Sequence, residues 1–327
     1  MLRTSTLKSL TAAGLLVASI LVLDLSHASA ANNRWGADYF PNVPLITQDG
    51  KTVHFYDDLL KDKIVAIDLI YTTCKYECPL ETARLAQAQK ILGDRVGKDI
   101  FFYSITIDPE HDTPAVLKAY AEQFHAGPGW LFLTGKEKDI ELISKKMGLY
   151  SDPTKSRDRH TTMLMVGDVA NGQWMRNSAT DNPRFLATMI GDFLNSWKKH
   201  SEQPAKSYAE AQHLSMSAGQ YLYAKRCAAC HTIGGGDLVG PDLKGITASR
   251  PHDWLFRFIK HPEQMLDARD PVATALLAKY KNVRMPNLTL GDGDVTALID
   301  YLKEETTRLH NASVAVSRAP EGGQTQK

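Results

Sequence analysis

Residues 63–92, KIVAIDLIYTTCKYECPLETARLAQAQKIL, decide the fold of the N-terminal half of the chain. Their first part, residues 63–71, is an apolar run that predicts a buried β-strand, and their last part carries apolar residues at helical spacing. Cys74 follows the strand and Cys78 opens the helix, where Pro79 is tolerated because its missing N–H needs no partner in a first turn. The segment therefore places two thiols at a junction between a strand and a helix.

Two further apolar runs, residues 99–107 and 161–168, predict additional strands. Residues 113–124 again carry apolar residues at helical spacing. An alternation of strands and helices is typical of a mostly parallel sheet that is covered by helices. We therefore expect an α/β domain over residues 35–197.

The composition is that of a soluble protein with two domains: 327 residues, 43% hydrophobic and 23% charged. Residues 1–30 combine Arg3 and Lys8 with a short apolar run and end in Ala-Ser-Ala, which predicts a signal peptide cleaved after Ala30. We therefore expect a periplasmic protein, and an uncleaved segment that anchors it to the inner membrane is the alternative. With 38 basic and 37 acidic residues the chain is nearly neutral, which argues against nucleic acid as a partner.

The second half of the chain is predicted to be a small all-α domain. Residues 198–212 lose both apolar residues and helical period and are interpreted as a linker, and the domain follows over residues 213–310. Its apolar residues are few for a domain of about 100 residues, which favours a large group at its centre. Residues 311–327 are small and polar and are predicted to form a disordered tail. In the last helix one apolar face is formed by Val295, Leu298, Ile299 and Leu302.

All four cysteines fall in two close pairs, which indicates site chemistry rather than structural disulfides. The second pair lies in RCAACHT (226–232), and Cys-x-x-Cys-His is the attachment motif of c-type haem. Cys227 and Cys230 would form the thioethers and His231 would bind the iron. A zinc site would need two more ligands at finger spacing, and a redox disulfide would need a preceding strand, whereas the preceding residues 218–226 have a helical pattern.

Met285 is the predicted second axial ligand of that haem. A thioether sulfur is a soft ligand suited to the sixth position of haem iron. Met285 precedes a proline in an extended stretch, a feature that the competing Met216 and Met265 lack.

The motifs CAACH, GPDL (240–243) and Met-Pro occur in the order found in class I cytochromes c, which residues 214–309 resemble. This resemblance implies that Gly219 and Tyr223 of the first helix cross the last helix near Leu298 and Tyr301.

The chemistry of the first pair stays open on local grounds between disulfide exchange and metal binding. The positive end of the helix dipole is expected to lower the pKa of both thiols, and Lys75 could add to that effect. Asp68 is an unexpected charge within the strand, either near the site or in a polar pocket.

The segments CKYECP (74–79), 104–124 and 127–135 resemble the Sco (SenC-type) copper chaperones over residues 38–195. The resemblance implies a thioredoxin-like domain with a mixed central sheet flanked by helices. It also implies that His160 joins Cys74 and Cys78 as a copper ligand. Two thiolates and one imidazole form a soft donor set, which suits copper, although zinc could also occupy it. Five other histidines are expected at the surface: His111, His125, His252, His261 and His310.

The resemblance to the Sco chaperones implies a copper chaperone for the copper centre of cytochrome c oxidase, here with a haem domain in the same chain. Its partner would be the copper-bearing oxidase subunit or another periplasmic cuproprotein, and its haem domain would transfer single electrons to or from the copper and thiol site. The alternative is a thiol-disulfide oxidoreductase or peroxidase-like enzyme coupled to haem. A plain electron carrier is a third hypothesis. A short flexible linker would hold the two sites at a millimolar effective concentration.

Overall fold

The computed structural model describes residues 35–152, 161–192 and 216–318. The N-terminal domain is built on a seven-stranded sheet with the strand order β2-β1-β5-β4-β3-β6-β7. In chain order the strands are β1 (Pro44–Thr47), β2 (Thr52–His54), β3 (Ile64–Ile70), β4 (Ile100–Thr106), β5 (Trp130–Gly135), β6 (Met163–Asp168) and β7 (Gln173–Ser178).

The sheet is mixed, as the family resemblance implies. Strands β3, β4 and β5 pair in parallel, whereas the other neighbours pair antiparallel. The expectation of a mostly parallel sheet was therefore wrong for β6, which runs antiparallel to β3 with Ile67 opposite Met165. An alternation of helices and strands does not determine whether a strand runs parallel or antiparallel to its neighbour. That direction depends on the end of the sheet at which the preceding connection leads into the strand. Here β6 and β7 form a hairpin through the turn 169–172, in which the N–H of Gly172 donates to the carbonyl of Val169.

Within the described residues, four α-helices flank this sheet: α1 (Cys78–Leu92), α2 (Pro114–Gln123), α3 (Glu137–Met147) and α4 (Pro183–Gly191). A π-helical segment (Phe55–Leu60) follows β2. Alternate residues of β3 point to opposite faces, as the period of a strand requires. Ala66 and Ile70 belong to a core cluster that includes residues of α1, α2 and α4, whereas Val65 and Ile67 belong to a cluster that includes residues of α3. The cysteine pair lies on the α1 side of the sheet.

The C-terminal domain is helical in the described residues. Its helices are α5 (Ala218–Leu222), α6 (Ile246–Ser249), α7 (His252–Lys260), α8 (Pro262–Asp267), α9 (Pro271–Lys279) and α10 (Asp292–Arg318), and a π-helical turn (Tyr223–Cys227) extends α5. Residues 311–318, predicted to begin a disordered tail, belong to α10. They contain neither Gly nor Pro, so nothing in the sequence stops the helix there.

Helices α5 and α10 cross closely, as the resemblance to class I cytochromes c implies. A Cβ on Gly219 would lie 2.0 Å from the carbonyl oxygen of Ala297, so only glycine fits at this crossing. The rings of Tyr223 and Tyr301 lie 5.6 Å apart beside it. The predicted apolar face of α10 is buried, since Val295, Leu298, Ile299 and Leu302 are at most 5% exposed.

One hydrophobic cluster runs through both domains and includes Cys78 and Leu80 from the first and Ala229 and Leu288 from the second. The predicted signal peptide (1–30), the whole predicted linker (198–212) and residues 319–327 lie outside the described residues. Within the described residues, no helix is both long and apolar enough to span a membrane.

Candidate metal and haem sites

The first cysteine pair is buried at the junction between β3 and α1. Cys74 and Cys78 are 2% and 0% exposed, and their side chains are hydrogen-bonded to each other as thiols rather than joined as a disulfide. Cys74 is held by its backbone N–H, which donates to the carbonyl of Tyr71 at 3.2 Å. Cys78 is the first residue of α1. The fold thus brings both sulfurs together at the start of a helix.

Burial raises the pKa of the Cys78 thiol well above its ordinary value, and the adjacent Cys74 and the charge of Glu81 raise it further. The expectation that the helix dipole lowers the pKa was therefore wrong for this thiol. The sequence reasoning weighed the dipole but not desolvation, which dominates at a sulfur with no exposed surface. Both thiols would have to lose their protons on binding a metal ion.

Lys75 and Asp68, two of the charged residues near this pair, each have a polar partner. The ammonium group of Lys75 lies 3.6 Å from the carboxylate of Asp267, on α8 of the other domain. The suggested role of Lys75 in stabilising thiolates is therefore not supported.

Asp68 is buried and accepts a 2.7 Å hydrogen bond from Ser104, its neighbour on β4, and Ser104 accepts one from the indole of Trp130. Asp68 thus lies in a polar network within the sheet.

Sequence reasoning missed Asp112, which fixes the loop before Cys74. Its fully buried carboxylate accepts hydrogen bonds from the backbone N–H of Thr72 at 3.1 Å and from the hydroxyl groups of Thr72 and Thr106. The signal was present in the segment 104–124, where this aspartate immediately precedes the N-cap of α2. Asp112 therefore connects that segment to the cysteine loop.

His160, the proposed third ligand, lies outside the described residues. The pairing of β6 with β3 is nevertheless relevant to this proposed ligand. Ile67 pairs with Met165, and the two strands run antiparallel. The N-terminal end of β6 therefore lies beside the C-terminal end of β3, the strand that leads to Cys74. Four of the histidines expected at the surface are exposed: His111, His125, His252 and His310. The fifth, His261, is half-exposed.

The CAACH residues form a turn after α5. The backbone N–H groups of Cys230 and His231 both donate to the carbonyl of Cys227 at 3.0 Å. Burial raises the pKa of Cys227 and Cys230 to about 12. Such thiols are protonated near neutral pH, which disfavours disulfide exchange.

His231 is oriented by its surroundings. Its Nδ1 lies 2.8 Å from the carbonyl oxygen of Pro241, so Nδ1 carries the hydrogen and Nε2 is the nitrogen left for a metal. Burial lowers the pKa of His231, which favours the neutral ring that metals bind. A Cβ on Gly240 would lie 2.6 Å from Cε1 of the ring, so glycine permits this close packing. The hydroxyl of Tyr223 donates to the carbonyl of His231 at 2.9 Å.

An apolar cavity of about 270 Å³ lies beside this turn. Cys227, Cys230, His231 and Met285 all line it, together with apolar residues of α7, α9 and α10. Two thiols, an imidazole with Nε2 available and a thioether are the donors that attach and ligate haem c, so the residues present fit that group. Of the competing methionines, Met265 is buried but does not line this cavity, and Met216 is exposed.

Comparison with known proteins identifies the family of the N-terminal domain. The SCO1/SenC family model matches residues 33–194, and the SCO2-like protein of Rickettsia felis is 31% identical over 159 residues, which cover 46% of this chain and 72% of the relative. The chain belongs to the SCO1/SenC family. The SCO1 protein homolog of Bacillus subtilis is 36% identical over 101 residues, covering 30% of this chain and 51% of that protein.

The solved structure of Bradyrhizobium japonicum ScoI with copper bound is 27% identical, covers 45% of this SCO1/SenC chain and 94% of its own, and has a TM-score of 0.38. The cytochrome c model matches residues 216–305. The cytochrome c domain implies haem c as a cofactor of this SCO1/SenC protein.

The two sites adjoin each other in this SCO1/SenC chain. Pro79, the residue after Cys78, lines the same cavity as His231 and Met285. On the other side of the cysteine loop, the carbonyl of Lys75 accepts a 3.1 Å hydrogen bond from the backbone N–H of Asn287, two residues beyond Met285. A residue adjacent to one site therefore forms part of the wall of the other.

Proposed function

We propose that this chain is exported to the periplasm, binds copper as cargo and delivers it to the copper centre of cytochrome c oxidase or to another cuproprotein. Its haem domain exchanges single electrons with the copper and thiol site. The observation that carries the proposal is the contact between the two sites: a buried pair of thiols lies one residue from the wall of a cavity suited to haem c.

The copper ligands are Cys74, Cys78 and His160. Two sulfurs and one imidazole are a soft donor set, and three ligands leave an open position through which a partner can take the metal. The start of β6 beside the end of β3 supports the participation of His160. Membership of the SCO1/SenC family, whose model matches residues 33–194, supports copper as the cargo.

The haem group is held by residues of the C-terminal domain. Cys227 and Cys230 attach the group, the carbonyl of Pro241 orients His231, and Met285 completes the ligand set. Bound haem c supplies a one-electron donor and acceptor. Copper changes oxidation state by one electron, whereas closing a disulfide between Cys74 and Cys78 releases two, so the haem matches copper better.

Copper stoichiometry tests the ligand set. Purified wild-type protein is expected to retain one copper ion per chain after dialysis, and Cys74→Ala, Cys78→Ala and His160→Ala to retain less than a tenth of that. His125→Ala, which removes an exposed imidazole, is the matched control and should bind as the wild type does. Unchanged copper in His160→Ala would exclude that residue as a ligand.

Anaerobic titration of the reduced protein with Cu(II) tests the electron exchange. One equivalent is expected to bleach the bands of ferrous haem, since Cu(II) takes one electron to become Cu(I). In Cys78→Ala, the same amount of Cu(II) should oxidise the haem at least tenfold more slowly, because copper is no longer held beside the cavity. Equal rates in both proteins would contradict the proposal.

A thiol-disulfide oxidoreductase is the second candidate, favoured by the direct hydrogen bond between the Cys74 and Cys78 thiols. That activity needs no imidazole from His160. Reduction of a disulfide substrate by copper-free His160→Ala at the wild-type rate, together with its loss in Cys74→Ala, would support the enzyme over the chaperone.

A further inference from the structure

We propose that Arg84 and Gln87 of α1 are positioning residues that dock the haem-attachment segment on the thioredoxin-like domain, and that Arg84 raises the reduction potential of the haem. The copper and haem sites are then held next to each other by specific contacts between the two domains, rather than only by a flexible linker. The consequence for electron exchange rests on the proposed function, whereas the docking itself does not.

The two side chains hydrogen-bond backbone carbonyls of the haem domain. Nη2 of Arg84 donates to the carbonyl of Lys225 and, at 3.3 Å, to that of Ala224. Nε2 of Gln87 donates to the carbonyls of Ala228 at 3.1 Å and Ala229 at 3.4 Å.

These carbonyls belong to the end of the first helix of the haem domain and to the CAACH turn, where backbone oxygens lack partners within the helix. Arg84 and Gln87 are three residues apart and so lie on one face of α1. The thioredoxin-like domain thus supplies the C-terminal cap of the helix that leads into the CAACH turn.

Arg84 also brings a buried charge to this place. Its residue surface is 3% exposed, and its guanidinium contacts the carbonyls of Ala224 and Lys225, within three residues of Cys227. Its Nε has no hydrogen-bond partner within the described part of the chain. A positive charge acts strongly through a poorly solvated region, and it stabilises the reduced form of a nearby redox group, which carries one positive charge less.

A second set of contacts holds the Met285 side of the cavity. The carbonyl of Lys75 accepts from the N–H of Asn287, and the Lys75 ammonium pairs with Asp267. The side-chain amide of Gln123 donates to the carbonyl of Lys281 at 2.6 Å.

The interface therefore contacts the haem domain both at the CAACH turn and near Met285, and Pro79 lines the cavity that these two segments share. Two separated contact regions resist rotation about either one. Electron exchange across such an interface moves one electron from ferrous iron to Cu(II), giving ferric iron and Cu(I) with no proton transferred, and its rate does not depend on the linker.

The haem potential of the copper-free protein tests Arg84. In Arg84→Met the Fe(III)/Fe(II) ratio at a fixed ambient potential is expected to rise about tenfold, equivalent to a fall of about 59 mV. Arg184→Met removes the same charge from an exposed position on α4 and should leave the potential unchanged. Arg84→Lys, which keeps the charge, should recover most of the wild-type value. Equal potentials for Arg84→Met and Arg184→Met would overturn the inference. If Arg84→Met fails to fold, Arg84→Gln, which removes the charge but keeps a hydrogen-bond donor, takes its place beside Arg184→Gln: a lower potential in Arg84→Gln supports the inference and equal potentials overturn it.

Linker length tests the docking. Thirty Gly and Ser residues inserted within residues 198–212 would lower the effective concentration of tethered sites about fivefold. If the two domains are docked, the insertion is expected to change the rate of haem oxidation by Cu(II) less than twofold. The same insertion is expected to lower this rate clearly only in a chain that also carries Arg84→Met and Gln87→Ala. A fivefold fall in the otherwise wild-type chain would overturn the docking. Failure of Cu(II) to oxidise the haem in any variant would instead refute the proposed function and leave the potentials to decide the interface.

Discussion

The two cysteine pairs have nearly the same spacing but opposite surroundings. Cys74 and Cys78 are buried against each other in the core of a sheet domain, and the histidine proposed to join them is distant in sequence. Cys227 and Cys230 are half-buried in a turn, beside an adjacent histidine and an apolar cavity. The first environment suits a reversible metal ion and the second a group attached for the lifetime of the protein. A cysteine spacing therefore acquires its chemistry from the cavity and the third ligand next to it.

The largest expected effect separates the two pairs. Cys230→Ala is expected to abolish stable incorporation of haem with two thioethers and to unfold most of the haem domain, because the apolar cavity loses the group that fills it. Haem staining of denatured protein on a gel and far-UV circular dichroism measure both consequences. Cys74→Ala serves as the matched control and should keep covalent haem. Loss of haem in the control as well would show that the pairs do not act separately.

An intermediate effect is expected at the loop before Cys74. Asp112→Asn removes the charge that accepts hydrogen bonds from Thr72 and Thr106, so the loop is held less firmly. We expect copper affinity to fall about tenfold, or about 1.4 kcal/mol, as for other residues that orient metal ligands. Competition with a chelator of known affinity measures the change, and Asp108→Asn provides a neighbouring control. A change in the haem spectrum would indicate damage beyond the cysteine loop.

The smallest effect concerns pH. Burial raises the pKa of Cys78 above its ordinary value of 9.0, so the folded chain holds this proton more tightly than the unfolded chain. This contribution to stability is complete below the unfolded pKa and is lost as pH rises from there through the folded pKa. The melting temperature of the copper-free protein should therefore decline above about pH 9. The decline should be smaller in Cys78→Ala, and an identical pH profile for both proteins would contradict the buried state of this thiol.

Local sequence was sufficient for much of this architecture. Apolar runs and helical periodicity predicted β3, α1 and the buried face of α10, because each depends on residues close along the chain. The family patterns predicted the mixed sheet and the crossing at Gly219, where a side chain would collide with the backbone of Ala297.

Other properties were decided only by the tertiary structure. The direction of β6, the raised pKa of Cys78 and the pairing of Lys75 with Asp267 all depend on residues that are brought together from distant parts of the chain. The same holds for Arg84, whose partners lie on another domain. Spacing determines which side chains share a local element, whereas desolvation and long-range contacts exist only after the elements have packed. The sequence alone determined which atoms can bind haem and metal, and the packing of the two domains decided how close those atoms lie.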